Sequence, residues 1–208
     1  DRSILEGLRG RLLSFTVSNI TTKQVKRNSY PTYTTSTMQQ DASTRLNFNA
    51  TRTMRIAQGL YEGKNIGSET VGLITYMRTD STRLADSFVK EASGYIINTY
   101  GSKYLGSVKL KGQKNMQDAH EGIRPTSIYR TPESVKNYLT DDEFKLYSLI
   151  YKRTLASLMS AAAFNSTKVE FTNTDSVWAL TGQQLVFDGY LKAVSYTHLR
   201  AHETGAYL

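Results

Sequence analysis

Thr140-Asp141-Asp142-Glu143-Phe144 opens the stretch whose reading decides the fold, and Thr167-Lys168-Val169-Glu170-Phe171-Thr172 closes it. The first run is a capping-box pattern. The Thr140 hydroxyl can accept from a free helix amide, and Glu143 can reach back to the amide of the cap residue. Behind it Phe144, Tyr147, Tyr151, Leu155 and Leu158 recur at three- and four-residue steps, one apolar face of a helix expected to run to about Ala162. Then the rhythm changes. From Thr167 to Thr172 polar and apolar residues alternate, the period of an extended strand with side chains on opposite faces. Trp178-Ala179-Leu180 and Gln184-Leu185-Val186-Phe187 follow as two further β-prone runs across turn residues.

The same reading works upstream. Asp80 or Ser81 can cap a helix carrying Leu84, Phe88, Ala92 and Tyr95 on one face and ending before Gly101. Residues 37–46 and 51–61 form two more predicted helices, joined by Asn47-Phe48-Asn49 like a helix-turn-helix. That pair carries Arg45, Arg52 and Arg55, so it is either a DNA-contacting motif or a purely structural helix pair. Residues 14–26 are rich in branched side chains and alternate in polarity, which predicts a strand with one wet face. The fold class expected is therefore α+β: a mainly helical domain, residues 28–163, inserted between β segments at 1–27 and 164–192.

Composition narrows the function. Cysteine is absent from the 208 residues, which removes disulfides and thiolate metal sites and fits a cytoplasmic location. No apolar run approaches the roughly 18 residues that span a membrane. The first residues carry neither a start methionine nor a signal-peptide pattern, so the chain is expected to begin within a longer protein. A net charge of +8 favours a polyanionic partner or else a basic solvated surface. The 14 tyrosines could stack on single-stranded bases, although packing accounts for most of them.

Two clusters can carry chemistry. Gly72-Leu73-Ile74-Thr75-Tyr76 reads as a short strand heading for the Asp80 or Ser81 cap. Alternation then points Tyr76, Arg78 and Asp80 to one side, a phenol, a guanidinium and a carboxylate at a strand-to-helix junction where helix amides attract phosphate. A nearby arginine favours a phenolate and grips phosphate through paired hydrogen bonds. The alternative is a packed tyrosine beside a surface ion pair. The second cluster is Asp118-Ala119-His120-Glu121-Gly122-Ile123-Arg124-Pro125-Thr126, where a histidine beside a carboxylate suits phosphate contact, or else sits on a capped turn. Other motifs fail. Gly59-Leu60-Tyr61-Glu62-Gly63-Lys64 is one residue short of a P-loop and is followed by Asn65. The Asp141-Asp142-Glu143 run is explained by capping, and three Asn-X-Ser/Thr matches are chance in a chain without secretion signals.

Three runs in order, Tyr30-Pro31-Thr32-Tyr33-Thr34-Thr35-Ser36-Thr37-Met38-Gln39-Gln40-Asp41-Ala42-Ser43, then Gly72 to Thr82, then Ala119 to Thr126, resemble the bacterial type IA DNA topoisomerase family. The resemblance covers roughly residues 14–192. It implies that Tyr76 attacks a DNA phosphodiester, giving a 5′-phosphotyrosine and a free 3′-hydroxyl without ATP. It implies that Arg78 stabilises the scissile phosphate, that His120 acts at the same site oriented by Asp80, and that Arg124 is a DNA contact. It implies a tyrosine-bearing helical domain on a β-rich arch, Mg²⁺ held by an acidic domain not present in this segment, and negatively supercoiled DNA as partner in the bacterial nucleoid. The segment alone is then expected to be inactive. Gly122 departs from the family's usual alanine and is expected to loosen the segment presenting His120.

Past Lys192 the resemblance is expected to fade. Val194 to Thr204 can be encoded by the bases of a transposase-based sequencing adapter read in frame, so residues 193–208 are expected to be a non-native tail in which His198 and His202 bind no metal by design. Rival functions are a DNA-binding helix-turn-helix module without catalysis, and a tyrosine strand transferase or nuclease that leaves linking number unchanged.

Overall fold

The computed structural model describes residues 15–107, 120–173 and 176–194. In chain order its elements are β1 (Thr16–Arg27), α1 (Thr35–Leu46), α2 (Ala50–Glu62), β2 (Lys64–Asn65), β3 (Thr70–Val71), α3 (Asp86–Tyr100), α4 (Pro132–Val135), α5 (Asp141–Leu158), β4 (Ala162–Asn173), β5 (Ser176–Phe187) and α6 (Leu191–Val194). The chain divides into two compact units, one from residues 1–27 with 162–188 and the other from 28–161 with 189–208.

The first unit is an antiparallel sheet in the order β1-β4-β5. Val25 lies opposite Phe164 and Val17 opposite Phe171, and the Arg27 guanidinium stacks over the Phe164 ring at 4.7 Å. Two strand expectations need correction. β1 is exposed along nearly its whole length on both faces, so its alternating pattern marks no single wet face among the described residues. The run from Trp178 to Phe187 is one strand, not two. Lys168, Thr167 and Ser166 of β4 pair with Thr181, Gly182 and Gln183, and that ladder overrides the local turn preference of Thr181-Gly182.

The second unit is built around α5. The Thr140–Glu143 capping box is present as the sequence predicts. The buried face comprises Leu146, Tyr147, Ile150, Tyr151, Thr154, Leu155 and Leu158, while Phe144 is only half-buried. Tyr147 and Tyr151 donate their hydroxyls to the carbonyls of Arg130 and Ile128, each at 2.6 Å. Burial pushes both phenols above their ordinary pKa, so they serve as neutral donors inside the core. α5 stops at Leu158, short of Ala162. There the backbone turns to pair with another segment: Gly106 N–H donates to the Leu158 carbonyl at 2.9 Å, and Ser160 N–H to the Tyr104 carbonyl at 2.8 Å.

The α1 and α2 pair forms as expected. Thr34 caps α1, Asn47 ends it in the left-handed conformation at φ 56°, and Asn49 caps α2 through Arg52 N–H. Tyr33, ahead of α1, is 1% exposed, and its hydroxyl lies 2.5 Å from Asp41. Burial and that carboxylate raise its pKa. Arg153 of α5 stacks between Tyr30 and Tyr33 and donates to the Pro31 carbonyl at 2.8 Å. Much of the first resembling motif therefore packs the chain that leads into α1.

Candidate active site

Three separated segments are laced together by their backbones. Thr75 N–H donates to the Arg124 carbonyl at 2.9 Å and Thr126 N–H to the Leu73 carbonyl at 3.0 Å, with Ile74 and Pro125 paired antiparallel. The Thr75 hydroxyl donates to the Gly122 carbonyl at 2.9 Å and accepts from Arg124 N–H at 3.0 Å. Ile123 N–H donates to the Tyr33 carbonyl at 2.8 Å. Thr35 closes the triangle: its hydroxyl donates to the Met77 carbonyl at 2.8 Å and accepts from Thr79 N–H at 2.9 Å. The three motifs singled out by sequence are thus one structural unit, held largely by backbone groups and threonine hydroxyls.

These bonds explain where α3 starts. The sequence places its cap at Asp80 or Ser81, but the helix begins at Asp86 after Ala85, with no side-chain cap. The intervening backbone is already engaged, because the Thr82 carbonyl accepts from Thr32 Oγ1 at 2.8 Å and the Arg83 carbonyl from Gly122 N–H at 2.7 Å. Tyr76, Arg78 and Asp80 therefore do not lead straight into α3; the helix start that meets this segment is that of α1, whose first residue Thr35 donates its N–H to the Thr79 carbonyl at 2.9 Å. The expected strand is likewise reduced to a single β-bridge at Ile74.

The alternation itself holds. Met77 is fully buried and Thr79 is 9% exposed, whereas Tyr76, Arg78 and Asp80 are exposed. Tyr76 is 43% exposed, and its hydroxyl makes no hydrogen bond to a described residue. Arg78 and Asp80 make no ion pair with described residues either, which leaves a guanidinium without a described partner two residues from a phenol. His120 is exposed at the edge of the described chain, two residues from Gly122 and its bonds to Thr75 and Arg83. The structure does not join His120 to Asp80 by a hydrogen bond, and Asp118 and Ala119 lie outside the described residues.

Arg124, the expected DNA contact, is engaged within the chain. Its side chain is 12% exposed and is 2.6 Å from Glu121. It also donates to the Pro125 carbonyl at 3.0 Å and stacks over Phe88 at 4.2 Å. These contacts pack the guanidinium against the chain, and they commit Glu121, the carboxylate next to His120, to a partner other than the histidine. Two arginines of the α1–α2 pair are also engaged: Arg52 bonds Asp142 and stacks on Phe48, and Arg45 lies 3.6 Å from Asp41. Arg55 is exposed. Lys64 of the failed P-loop pairs with Glu143. Gly122, expected to loosen its segment, is buried, bonded on both sides, and pressed against Thr32, whose Oγ1 lies 2.5 Å from where a Cβ would stand.

Sequence reasoning missed Tyr61. Its ring meets the Tyr76 ring edge-on, with centroids 5.3 Å apart and planes at 63°. It lies 15 positions away in the last turn of α2, where no local pattern links it to Tyr76.

The family model described as DNA topoisomerase matches residues 2–206 of the chain, which reaches beyond the 14–192 expected. The structure of full-length topoisomerase I from Thermotoga maritima is similar, with a TM-score of 0.83 and 34% sequence identity. That match covers 100% of this chain and 33% of the Thermotoga chain, so the protein spans about a third of its relative's length.

Proposed function

Because this chain belongs to the bacterial type IA DNA topoisomerase family, we propose that Tyr76 is the nucleophile of a transient single-strand break in DNA. The observation that supports this most is the alternation at 76–80, which leaves a phenol and a guanidinium, neither with a hydrogen bond or ion pair to a described residue, exposed on a backbone pinned by buried Met77 and Thr79. In this reading the Tyr76 oxygen attacks phosphorus and the bond to the 3′-oxygen breaks. The phenol loses its proton and the 3′-oxygen gains one. The resulting 5′-phosphotyrosine ester conserves the bond energy, so the 3′-hydroxyl can reverse the step without ATP.

Arg78 holds the phosphate by a planar, two-point grip as charge develops. His120 assists at the same phosphate, with Asp80 orienting it once DNA is bound. Arg124 stays in this reading as a DNA contact, one that would have to share its guanidinium with Glu121 and Phe88. The helical unit, lying in sequence between two segments of the sheet unit, fits a tyrosine-bearing domain that opens on a β-rich arch so that a strand can pass. Its partner is then the single-stranded part of negatively supercoiled duplex DNA, and its place the bacterial cytoplasm. No helix among the described residues is long and apolar enough to cross a membrane.

The family implies Mg²⁺. Among the described residues no group of three or more His, Cys, Asp or Glu side chains is placed to hold an ion. None is therefore assigned to the metal, and no step is drawn through it. The metal-bearing acidic domain is read as belonging to a longer protein, and this segment alone as unable to relax plasmid. In that complete enzyme Tyr76→Phe should abolish relaxation of negatively supercoiled plasmid and covalent DNA capture, with noncovalent binding intact. Protein-linked DNA persisting in Tyr76→Phe would overturn the reading.

A further inference from the structure

We propose that Tyr61 is a positioning residue for the Tyr76 nucleophile, an inference that rests on the reading of Tyr76 above. Tyr76 stands on an extended, exposed segment and makes no hydrogen bond to a described residue. A ring so placed is free to move among its staggered side-chain wells, whereas in-line attack needs the oxygen about 3–3.5 Å from phosphorus and aligned. Tyr61 is the aromatic ring that meets it, edge to face.

The relation between the two rings is set by backbone. The last turn of α2 is anchored inward by Ile56, Ala57 and Leu60, all buried. Leu73 N–H donates to the Leu60 carbonyl at 2.7 Å, tying that turn to the segment three residues before Tyr76. Gly72 lies so close that a Cβ on it would stand 2.5 Å from the Tyr61 carbonyl oxygen. Glycine at 72 thus permits the close approach, and the approach sets the Tyr61 backbone beside the segment that carries Tyr76. Tyr61 is itself 40% exposed, so its ring is not simply core. An edge-to-face pair of this kind shifts a rotamer population by about two- to tenfold.

The test is single-turnover covalent capture of an end-labelled single-stranded oligonucleotide by the complete enzyme, at saturating protein, with DNA affinity measured separately. Tyr61→Ala and Tyr61→Leu should each slow capture about two- to tenfold and leave affinity unchanged. Tyr61→Phe should retain the wild-type rate, because the ring supplies the contact. Tyr61→Phe should unfold with the wild type, whereas Tyr61→Ala and Tyr61→Leu lose the ring contact and should unfold somewhat earlier, so capture is compared at a temperature where unfolding curves show all three variants fully folded. Loss of affinity with an unchanged saturated rate would make Tyr61 a base-stacking residue and overturn the proposal. Equal slowing by Tyr61→Phe, or no slowing by Tyr61→Ala, would overturn it as well. Tyr76→Phe is the control: an adduct persisting there sinks the nucleophile assignment, whereas its loss alongside a normal Tyr61→Ala rate sinks only the role of Tyr61.

Discussion

Gly122→Ala adds one methyl group at the point where the three motif segments meet. The new Cβ would stand 2.5 Å from Thr32 Oγ1, 3.2 Å from Thr32 Cβ and 3.2 Å from the Thr82 backbone Cα. Thr32 is 2% exposed and its hydroxyl holds the Thr82 carbonyl, so it can yield only by rotating away from that bond. Overpacking of a tight interior costs about 1–3 kcal/mol, a figure that here includes the displacement of Thr32 and its hydrogen bond, itself worth roughly 0.5–1.5 kcal/mol. Against this, Gly122 is not among the residues with positive φ, so alanine suits the backbone and recovers about 0.4–1 kcal/mol through the unfolded chain. The net expectation is a destabilisation of about 1–2 kcal/mol. Urea unfolding should show an earlier midpoint with an unchanged slope. Adding Thr32→Ala, which removes the clashing oxygen, should cost less than the sum of the two single changes. A Gly122→Ala protein as stable as the wild type would refute the argument, since Gly122 could then not be a packing requirement.

Arg78→Lys keeps the charge but loses the planar grip on phosphate, and should reduce covalent capture by the complete enzyme about 10²-fold or more; retention of the wild-type rate would show that point charge suffices. Burial pushes the Glu143 carboxyl up, but hydrogen bonds from Lys64 and Thr140 and the Lys64 charge outweigh it and hold the net value below the ordinary carboxylate range. A folded-state value below the unfolded one stabilises at neutral pH, and the gain is lost as pH falls through the folded value. Glu143→Gln should therefore lower thermal stability at pH 7 and converge with the wild type in acid. A difference that grows on acidification would contradict the assignment.

What the sequence could show depended on how local the cause was. The α5 cap and its apolar face are decided by residues three and four apart, and they were readable. So was the alternation at Tyr76, Arg78 and Asp80, since buried Met77 and Thr79 enforce it. The late start of α3 was not readable, because the backbone at 82–83 is held by Thr32 and Gly122, distant in sequence. β5 runs through Thr181-Gly182 because β4 lies beside it. The contacts of Arg124 with Phe88, 36 positions away, had no local signal, and Tyr61 meets Tyr76 where Gly72 lets α2 approach.

The central claim is most directly tested by locating the covalent bond. DNA labelled at its 3′ end should be trapped on the complete enzyme, and the adduct digested with trypsin. Cleavage after Lys64 and Arg78 yields residues 65–78, in which Tyr76 is the sole tyrosine, while Tyr61 falls in the preceding peptide. The account predicts that the label travels with residues 65–78 as a 5′-phosphotyrosine. A label found on the peptide carrying Tyr61, or on any other tyrosine, would contradict it.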